Sequence, residues 1–242
     1  SLRSGLPRVS RVFVKAQPCG SLHSDSSESL NADPVRKSIR GTVSQKPPPE
    51  EVCFKMSEMS FLLSLQALHG TFFDSIMMAA TRVGNAGEIW IALAAVLLCS
   101  KKTRPVSIAI IVSLFADLFI SNGLLKFLFA RPRPCAIETG VSMLQACPPS
   151  FSFPSGHTAV SFTVLGVLLA SREFKIALAA LPVALLIAFS RLWLFAHFPT
   201  DVLGGVAVGL VIGYGTWHLL LLIPAFKRLW NRSNREEALT QA

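Results

Sequence analysis

Three short polar segments, far apart in the chain, carry side chains that suit phosphate chemistry. They supply three cations, two imidazoles and one carboxylate. In chain order the residues are Lys126 and Arg133, then Pro154-Ser155-Gly156-His157, then Arg191, His197 and Asp201. Cations can bind phosphate oxygens, one imidazole can attack phosphorus, and a second can protonate the group that leaves. Each segment borders an apolar run, so we expect this chemistry at a membrane surface.

The cations of the first segment are expected to bind phosphate. An arginine guanidinium is a planar fork that matches phosphate oxygens, and a lysine adds a point charge. Lys126 and Arg133 lie near the end of an apolar run, where many cations merely extend to the membrane surface. Arg131 also lies in this segment, and we expect it to be a helper at most.

The second segment predicts a turn that leads into a helix. Ser155 or a neighbour can cap the helix, and Gly156 lets the backbone approach a ligand closely. Free N–H groups at a helix start attract anions. A cap alone does not require His157, so we assign this residue as the general acid.

The third segment pairs an imidazole with a carboxylate. Asp201 follows His197 by four residues and comes directly after Pro199 and Thr200, which turn the chain. A carboxylate bonded to one ring nitrogen fixes the tautomer and leaves the other nitrogen free to attack. The alternatives are a helix cap for Asp201 and an interfacial histidine without a role for His197. With Arg191 nearby, we favour a nucleophile and its orienting acid.

The composition indicates an integral membrane protein with one catalytic domain. Of 242 residues, 51% are hydrophobic and only 15% are charged, whereas a soluble domain has about 25% charged residues. The net charge of +9 does not favour a nucleic-acid partner, because the cations cluster at the ends of apolar runs. The cysteines lack the Cys-x2-Cys spacing of a zinc site.

The apolar runs predict an all-α fold, a polytopic membrane helix bundle with five or six spans. Residues 61–83 include His69, Asp74 and Arg82, so we expect an amphipathic interfacial helix, with a sixth crossing as the alternative. The five clearer spans are residues 86–100, 105–128, 157–171, 175–195 and 202–224. The glycines Gly204, Gly205, Gly209 and Gly213 recur in the last span and predict close helix packing.

Charged loops predict the orientation. Three groups of cations alternate with the polar segments: Lys101, Lys102 and Arg104, then Arg172 and Lys175, then the basic residues 227–242. Short basic loops stay cytoplasmic, so the three polar segments should meet on the extracytoplasmic face. Cys135 and Cys147 lie in the loop on that face, where they can form a disulfide.

Residues 1–55 differ from the rest of the chain. They are rich in Ser, Arg and Pro and show no helical or strand period, which indicates disorder. No Met precedes Met56, and Glu50-Glu51-Val52 can be encoded by a purine-rich stretch like a bacterial ribosome-binding site. We therefore favour an upstream translation artefact, with a native tail or an organellar transit peptide as the alternatives. The catalytic domain is expected over residues 56–226.

Taken together, the three segments resemble the signature of the type 2 phosphatidic acid phosphatase superfamily. This superfamily includes lipid phosphate phosphatases, bacterial undecaprenyl-diphosphatases, glucose-6-phosphatase and vanadium haloperoxidases. The resemblance covers roughly residues 56–226, and it implies a metal-independent enzyme. It implies that His197 forms a phosphohistidine, that Asp201 orients it and that His157 protonates the leaving group. The phosphate-binding residues that it implies are Lys126, Arg133, Ser155, Gly156 and Arg191.

We therefore expect a membrane phosphatase without cofactors that acts on a lipid phosphate or diphosphate. Undecaprenyl diphosphate in a bacterial plasma membrane is favoured, and phosphatidate or phosphatidylglycerophosphate is the alternative. A non-catalytic transporter of a phosphorylated lipid is a hypothesis of another class, and a vanadium haloperoxidase is a third.

Asp117 and Asn122 lie inside a span, where Asp117 either is functional or bonds to Ser or Thr on a neighbouring helix. The oligomeric state is left open.

Overall fold

The computed structural model describes residues 50–70 and 72–241, and the side chains of residues 55–70 and 72–235. Every regular element within these residues is helical. The helices are α1 (Glu50–Gln66), α2 (Phe72–Val83), α3 (Glu88–Cys99), α4 (Arg104–Asp117), α5 (Lys126–Phe129), α6 (Pro134–Ile137), α7 (Gly156–Ala170), α8 (Phe174–Trp193), α9 (Pro199–Leu221) and α10 (Pro224–Gln241). A π-helical segment, Leu118–Leu125, joins α4 to α5 without a break.

The N-terminal part differs from the expectation in the helices over residues 61–83. Helix α1 begins at Glu50, and the compact unit that contains the later helices begins at Met56, where the catalytic domain is predicted to start. The expectations for residues 1–49 lie outside the described residues. The single interfacial helix expected over residues 61–83 is wrong, because α1 ends at Gln66 and α2 begins at Phe72. Gly70, with a φ of 86°, lies in the connection between the two helices and takes the left-handed conformation that only glycine adopts readily.

Helices lie within a few residues of each of the five expected spans. Three of them are long and apolar enough to cross a membrane by themselves: α4 with its continuation, α8 and α9. Helices α2 and α3 form a bent pair that meets the same criteria together, with an angle of 48° at Asn85–Gly87. Helix α7 has 15 residues and is shorter than the ~20 that a crossing needs, so the number of spans stays a prediction.

Helix α7 lies at the centre of the bundle and packs against α4, α8 and α9. Its side chains are apolar or small on almost every face, as expected for a helix that is covered all round. The closest packing is with α9. A Cβ atom at Gly209 or Gly213 would overlap the carbonyl oxygen of Ala159 or Thr163, respectively. The expected role of these glycines in close helix packing is thereby confirmed.

The loop between α5 and α7, which we call the outer loop after its predicted side of the membrane, is closed by the disulfide that the sequence allowed. Cys135 on α6 is bonded to Cys147, with their Cα atoms 5.9 Å apart. The loop then runs through residues 148–155 to the start of α7. It is held by a bond from the backbone N–H of Ser152 to the carbonyl oxygen of Arg131, at 2.8 Å.

Two glycines of α9 provide a matched test of the α7–α9 packing. Gly213→Ala should destabilise the protein, because the added methyl group has to push α7 and α9 apart, and such overpacking costs about 1–3 kcal/mol. Gly215 lies two residues further along and has nothing within 4 Å of its hypothetical Cβ. Gly215→Ala should therefore leave stability unchanged or raise it slightly.

Thermal unfolding in detergent would measure both variants. A drop of several degrees for Gly213→Ala with no drop for Gly215→Ala is expected, since ~1 kcal/mol corresponds to about 2–4 °C at this size. Equal midpoints for the two variants would contradict the packing argument.

Candidate active site

The three polar segments converge on one cavity of about 610 Å³ between α3, α4, α7 and α8. Most of the predicted site residues line it: Lys126, Arg133, Gly156, His157, Arg191 and His197. Asp201 lies behind His197 and does not reach the cavity. The fold therefore brings together predicted site residues that are up to 71 positions apart in the sequence, from Lys126 to His197.

Two of the three cations point into the cavity with few or no partners. Within the described part of the chain, the ammonium group of Lys126 has no hydrogen-bond or ion-pair partner. The guanidinium of Arg191 is 3% exposed and donates one short hydrogen bond to the hydroxyl of Thr81 on α2. Its Nε is buried and has no partner in the same set of residues. A half-buried ammonium and a buried guanidinium that face one cavity favour an anion between them.

Arg133 differs from the other two cations because the protein already holds it. It donates to the carbonyl oxygens of Ser150 at 2.6 Å, Ala196 at 2.8 Å and Phe151 at 3.2 Å. It also donates to the hydroxyl of Ser150 at 3.0 Å and to Nε2 of His197 at 2.9 Å. Arg133 thus ties the outer loop to the turn between α8 and α9, besides lining the cavity.

His197 lies in the turn between α8 and α9 and is 2% exposed. Because Nε2 accepts from Arg133, the proton of the neutral ring belongs on Nδ1. Burial, helped by the charges of Arg133 and Arg191, lowers the pKa of His197 from its ordinary 6.5 to about 3, although Asp201 acts in the opposite direction. The ring is therefore neutral at physiological pH, as a nucleophile requires.

Asp201 occupies the first turn of α9, next to the ring of His197. Its Oδ2 lies 3.8 Å from Nδ1 of His197. That oxygen also accepts from the backbone N–H of Phe198 at 2.9 Å and from the hydroxyl of Ser152. Oδ1 accepts from Arg131 at 2.7 Å. Asp201 therefore lies beside His197, as the spacing predicts, and also accepts from other residues; its role in orienting the ring stays a prediction.

Helix α7 begins at Gly156 and presents His157 to the cavity. The ring of His157 has no hydrogen-bond partner among the described residues, so it is available to a ligand. A Cβ at Gly156 would lie 2.9 Å from Oδ1 of Asn122, so the start of α7 closely approaches the Asn122 side chain of the π-helical segment. Asn122 itself lines the cavity.

Ser155 does not occupy the place expected of a phosphate ligand. Its side chain is fully buried away from the cavity, and its hydroxyl accepts from the hydroxyl of Thr158 at 3.0 Å. Its backbone N–H donates to the carbonyl oxygen of Asp201 at 3.0 Å. Ser155 therefore joins the second polar segment to the third, which is a structural role.

Arg131 also has a larger role than a helper of phosphate binding. It points away from the cavity and donates to Asp201, to Thr200 at 2.6 Å and to Glu58 on α1 at 2.7 Å. Glu58 in turn accepts from the N–H and the hydroxyl of Thr200. One sequence feature could have indicated this network: Glu58 is an acidic residue beside apolar residues of α1. It offered none for Ser152 or Thr81.

Asp117 lies below the cavity and does not line it. Its Oδ1 accepts from the hydroxyl of Ser121 at 2.6 Å, and the hydroxyl of Thr163 on α7 lies 3.5 Å away. Its Oδ2 has no partner among the described residues. The expected bond to a Ser or Thr on a neighbouring helix is present at the limit of hydrogen-bond length.

The cavity has two chemically different ends. The polar end holds the cations and the two imidazoles. The other end is apolar and is lined by Ile91, Ile111, Leu114, Phe115, Leu118 and Val160. A ligand with an anionic group and a hydrocarbon part fits both ends.

Comparisons with known proteins agree with this geometry. The family model for the PAP2 superfamily matches residues 106–223, which include all three polar segments. The chain is 30% identical over 146 residues to the undecaprenyl-diphosphatase BcrC of Bacillus subtilis, covering 60% of this chain and 74% of that one. It is 29% identical over 141 residues to an undecaprenyl-diphosphatase of Sulfolobus acidocaldarius, covering 58% and 68%, respectively.

The fold also resembles a solved structure. A transmembrane PAP2-type phosphatidylglycerolphosphate phosphatase from Bacillus subtilis superimposes with a TM-score of 0.57 and 22% identity, over 70% of this chain and 87% of that one. Together with the apolar helices, these similarities identify an integral membrane protein. The three polar segments, the cavity that they line and the matched relatives show that the chain belongs to the PAP2 superfamily and is a phosphatase.

Proposed function

We propose that the protein hydrolyses a lipid phosphate or diphosphate, with undecaprenyl diphosphate as the favoured substrate. The two-ended cavity carries this proposal, because its cations and imidazoles border an apolar lining. A water-soluble phosphate would gain nothing from the apolar end. The names of the two similar undecaprenyl-diphosphatases favour a polyprenyl diphosphate over a glycerolipid.

His197 is the proposed nucleophile. Its Nε2 attacks phosphorus, a nitrogen–phosphorus bond forms, and the bond from phosphorus to the leaving oxygen breaks. His157 gives a proton to that oxygen and then takes one from water. The water oxygen attacks the phosphohistidine, which releases phosphate and restores the ring. Because Nε2 accepts from Arg133 in the structure, the incoming phosphate has to take over this donor before the attack.

Lys126, Arg133 and Arg191 are proposed to stabilise the charge on the transferring phosphoryl group. Such positioned cations supply much of the rate of phosphoryl transfer in other enzymes. The backbone N–H groups of Gly156 and His157 lie in the first turn of α7, where the free N–H groups of a helix start bind anions. They are proposed to donate to the same phosphoryl group. Metal independence is part of the proposal and stays a prediction.

The site is proposed to face the extracytoplasmic side of a bacterial plasma membrane. The cationic loops that follow α3 and α7, and the basic helix α10, come at the ends of helices that run away from the cavity. Short basic loops stay in the cytoplasm, so the cavity would open on the other side. A lipid carrier whose diphosphate is exposed outside the cell fits this placement.

Phosphate release from purified protein in detergent, with EDTA present, tests the function. His197→Ala should lower the rate by at least about 10³-fold, because no other group can form the covalent intermediate. Undecaprenyl diphosphate, phosphatidate and phosphatidylglycerophosphate are compared at equal concentration. A preference for either glycerolipid would move the enzyme to phospholipid metabolism and leave the mechanism intact.

The same variant separates the enzyme from a transporter of a phosphorylated lipid. Retained lipid binding with loss of phosphate release is expected for an enzyme. Lipid transport that is unaffected in His197→Ala, with no phosphate release by the wild type, would replace the proposal by the transporter.

The role of His157 as general acid predicts a dependence on the leaving group. His157→Asn should slow the release from phosphatidate by about 10²–10⁴-fold, because an alkoxide has to be protonated as it leaves. The loss should be much smaller with undecaprenyl diphosphate, which releases a stable phosphate monoester. Rapid-quench measurement of phosphohistidine formation with both substrates would check this. Equal losses with both substrates would assign His157 to binding instead.

A neutral nucleophile predicts how His197 titrates. Protonation would block the attack, and the lowered pKa means that the ring gains its proton only in strong acid. With ring-labelled histidine, a histidine signal that does not titrate between about pH 5 and about pH 8 should be present in the wild type and missing in His197→Ala. A titration of this signal near 6.5 would contradict the lowered pKa.

A further inference from the structure

Asn122 is a polar side chain of the cavity that the proposed mechanism does not use. It lies on the π-helical segment Leu118–Leu125, is half-buried and lines the cavity. Its carboxamide has no hydrogen-bond partner within the part of the chain whose side chains the structure describes. A carboxamide offers two N–H donors and an acceptor oxygen. In a poorly solvated cavity, such unused groups favour a ligand with a polar group beside them.

Asn122 lies at the boundary between the two ends of the cavity. Lys126 follows it by four residues and belongs to the polar end, while Leu118 precedes it by four residues and belongs to the apolar end. Four residues correspond to about one helical turn, or roughly 5 Å along the axis. The amide therefore comes between the cations that bind a phosphoryl group and the lining that suits a hydrocarbon.

The start of α7 limits where this amide can lie. A Cβ at Gly156 would be 2.9 Å from Oδ1 and 3.6 Å from Nδ2 of Asn122, so the amide packs against the backbone of the first turn. His157, the next residue, also lines the cavity and is the proposed proton donor to the leaving oxygen. Asn122 is thus close to the place where the leaving group of the reaction has to lie.

The order of groups along the cavity matches the order of groups in a lipid diphosphate. The transferring phosphoryl group belongs at the cations and imidazoles, and the hydrocarbon belongs at the apolar end. The group between them lies beside Asn122. In a polyprenyl diphosphate this group is the second phosphate, whereas in a monophosphate of the same alcohol it is a single ester oxygen. A phosphate is the stronger acceptor, because it is charged.

We propose that Asn122 is a specificity-determining residue that donates a hydrogen bond to the second, lipid-bound phosphate of a diphosphate substrate. This inference rests on the proposed function. Attack by Nε2 of His197 forms the nitrogen–phosphorus bond and breaks the bond from that phosphorus to the bridging oxygen. The bridging oxygen keeps the electron pair and leaves as part of the second phosphate, whose negative charge increases. A donor at Asn122 stabilises this charge as it develops.

Asn122→Ala tests this role with two substrates that share one tail, undecaprenyl diphosphate and undecaprenyl phosphate. The variant should lower kcat/KM for the diphosphate on the order of 10- to 100-fold, which is the usual cost of losing a hydrogen bond to a charged group. For the monophosphate, kcat/KM should stay within about threefold, because that substrate lacks the group that Asn122 binds.

Inhibition measures the same contrast without turnover. A polyprenyl methylenediphosphonate and a polyprenyl phosphonate keep the tail and resist hydrolysis. Asn122→Ala should raise the inhibition constant of the diphosphonate about 10-fold or more and leave that of the phosphonate within about threefold. If Asn122→Ala does not fold, Asn122→Leu decides, since it keeps the size of the side chain without its donors.

Val160→Ala is the matched control, because Val160 lines the apolar end of the same cavity. It should change both substrates and both inhibitors by the same factor, since all of them contact this end through the same kind of tail. Equal changes for the diphosphate and the monophosphate in Asn122→Ala would overturn the proposal. Failure of the proposed function looks different, since the wild type would then release no phosphate from any of the lipids tested.

Discussion

The repulsion between cations gathered at one buried cavity is the constraint on which the rest of the structure depends. Lys126, Arg133 and Arg191 line the same 610 Å³ cavity, and Arg131 lies just behind it. Charges of one sign in a poorly solvated site raise the free energy of the folded state unless other groups compensate them. The four cations differ in how far other groups of the protein compensate them, and the differences indicate what each one does.

Arg131 behind the cavity and Arg133 in its lining have acidic or carbonyl partners. Arg131 has the carboxylates of Glu58 and Asp201, and its guanidinium lies 4.2 Å from the centre of the Phe198 ring. Arg133 has three carbonyl oxygens. These partners form part of the protein and hold the outer loop against the turn that carries His197. The hydrogen-bond donors at the cavity that these partners do not use belong mainly to Lys126 and Arg191. A phosphate is a ligand that would accept from them.

Much of the fold and the site could be predicted from the sequence, for physical reasons. The helix bundle follows from apolar runs of sufficient length, and the cavity-lining residues follow from their types and positions at the ends of those runs. The glycines of α9 predicted close packing because only a residue without a Cβ permits it. The break between α1 and α2 was missed, since the apolar pattern of residues 61–83 continues across it.

The remaining features depend on contacts that no local pattern encodes. Ser152 meets Asp201 across 49 positions, and Glu58 meets Thr200 across 142. A lone serine or glutamate gives no sign of which carboxylate or hydroxyl it will meet. The spacing of His197 and Asp201 predicted that the two groups lie together, but it gave no sign that Arg131 and the N–H of Phe198 would share the carboxylate.

The support of the site extends beyond the segment that carries the family resemblance. The match to the PAP2 superfamily covers residues 106–223, yet Glu58 on α1 and Thr81 on α2 lie before it. Glu58 holds Arg131 and the start of α9, and Thr81 holds the guanidinium of Arg191. Among the described residues, Arg131 without α1 would retain Asp201 and Thr200 as polar partners, and its hold on the carboxylate would loosen. The two N-terminal helices therefore support the residues that we propose to react, although none of their described polar side chains lines the cavity.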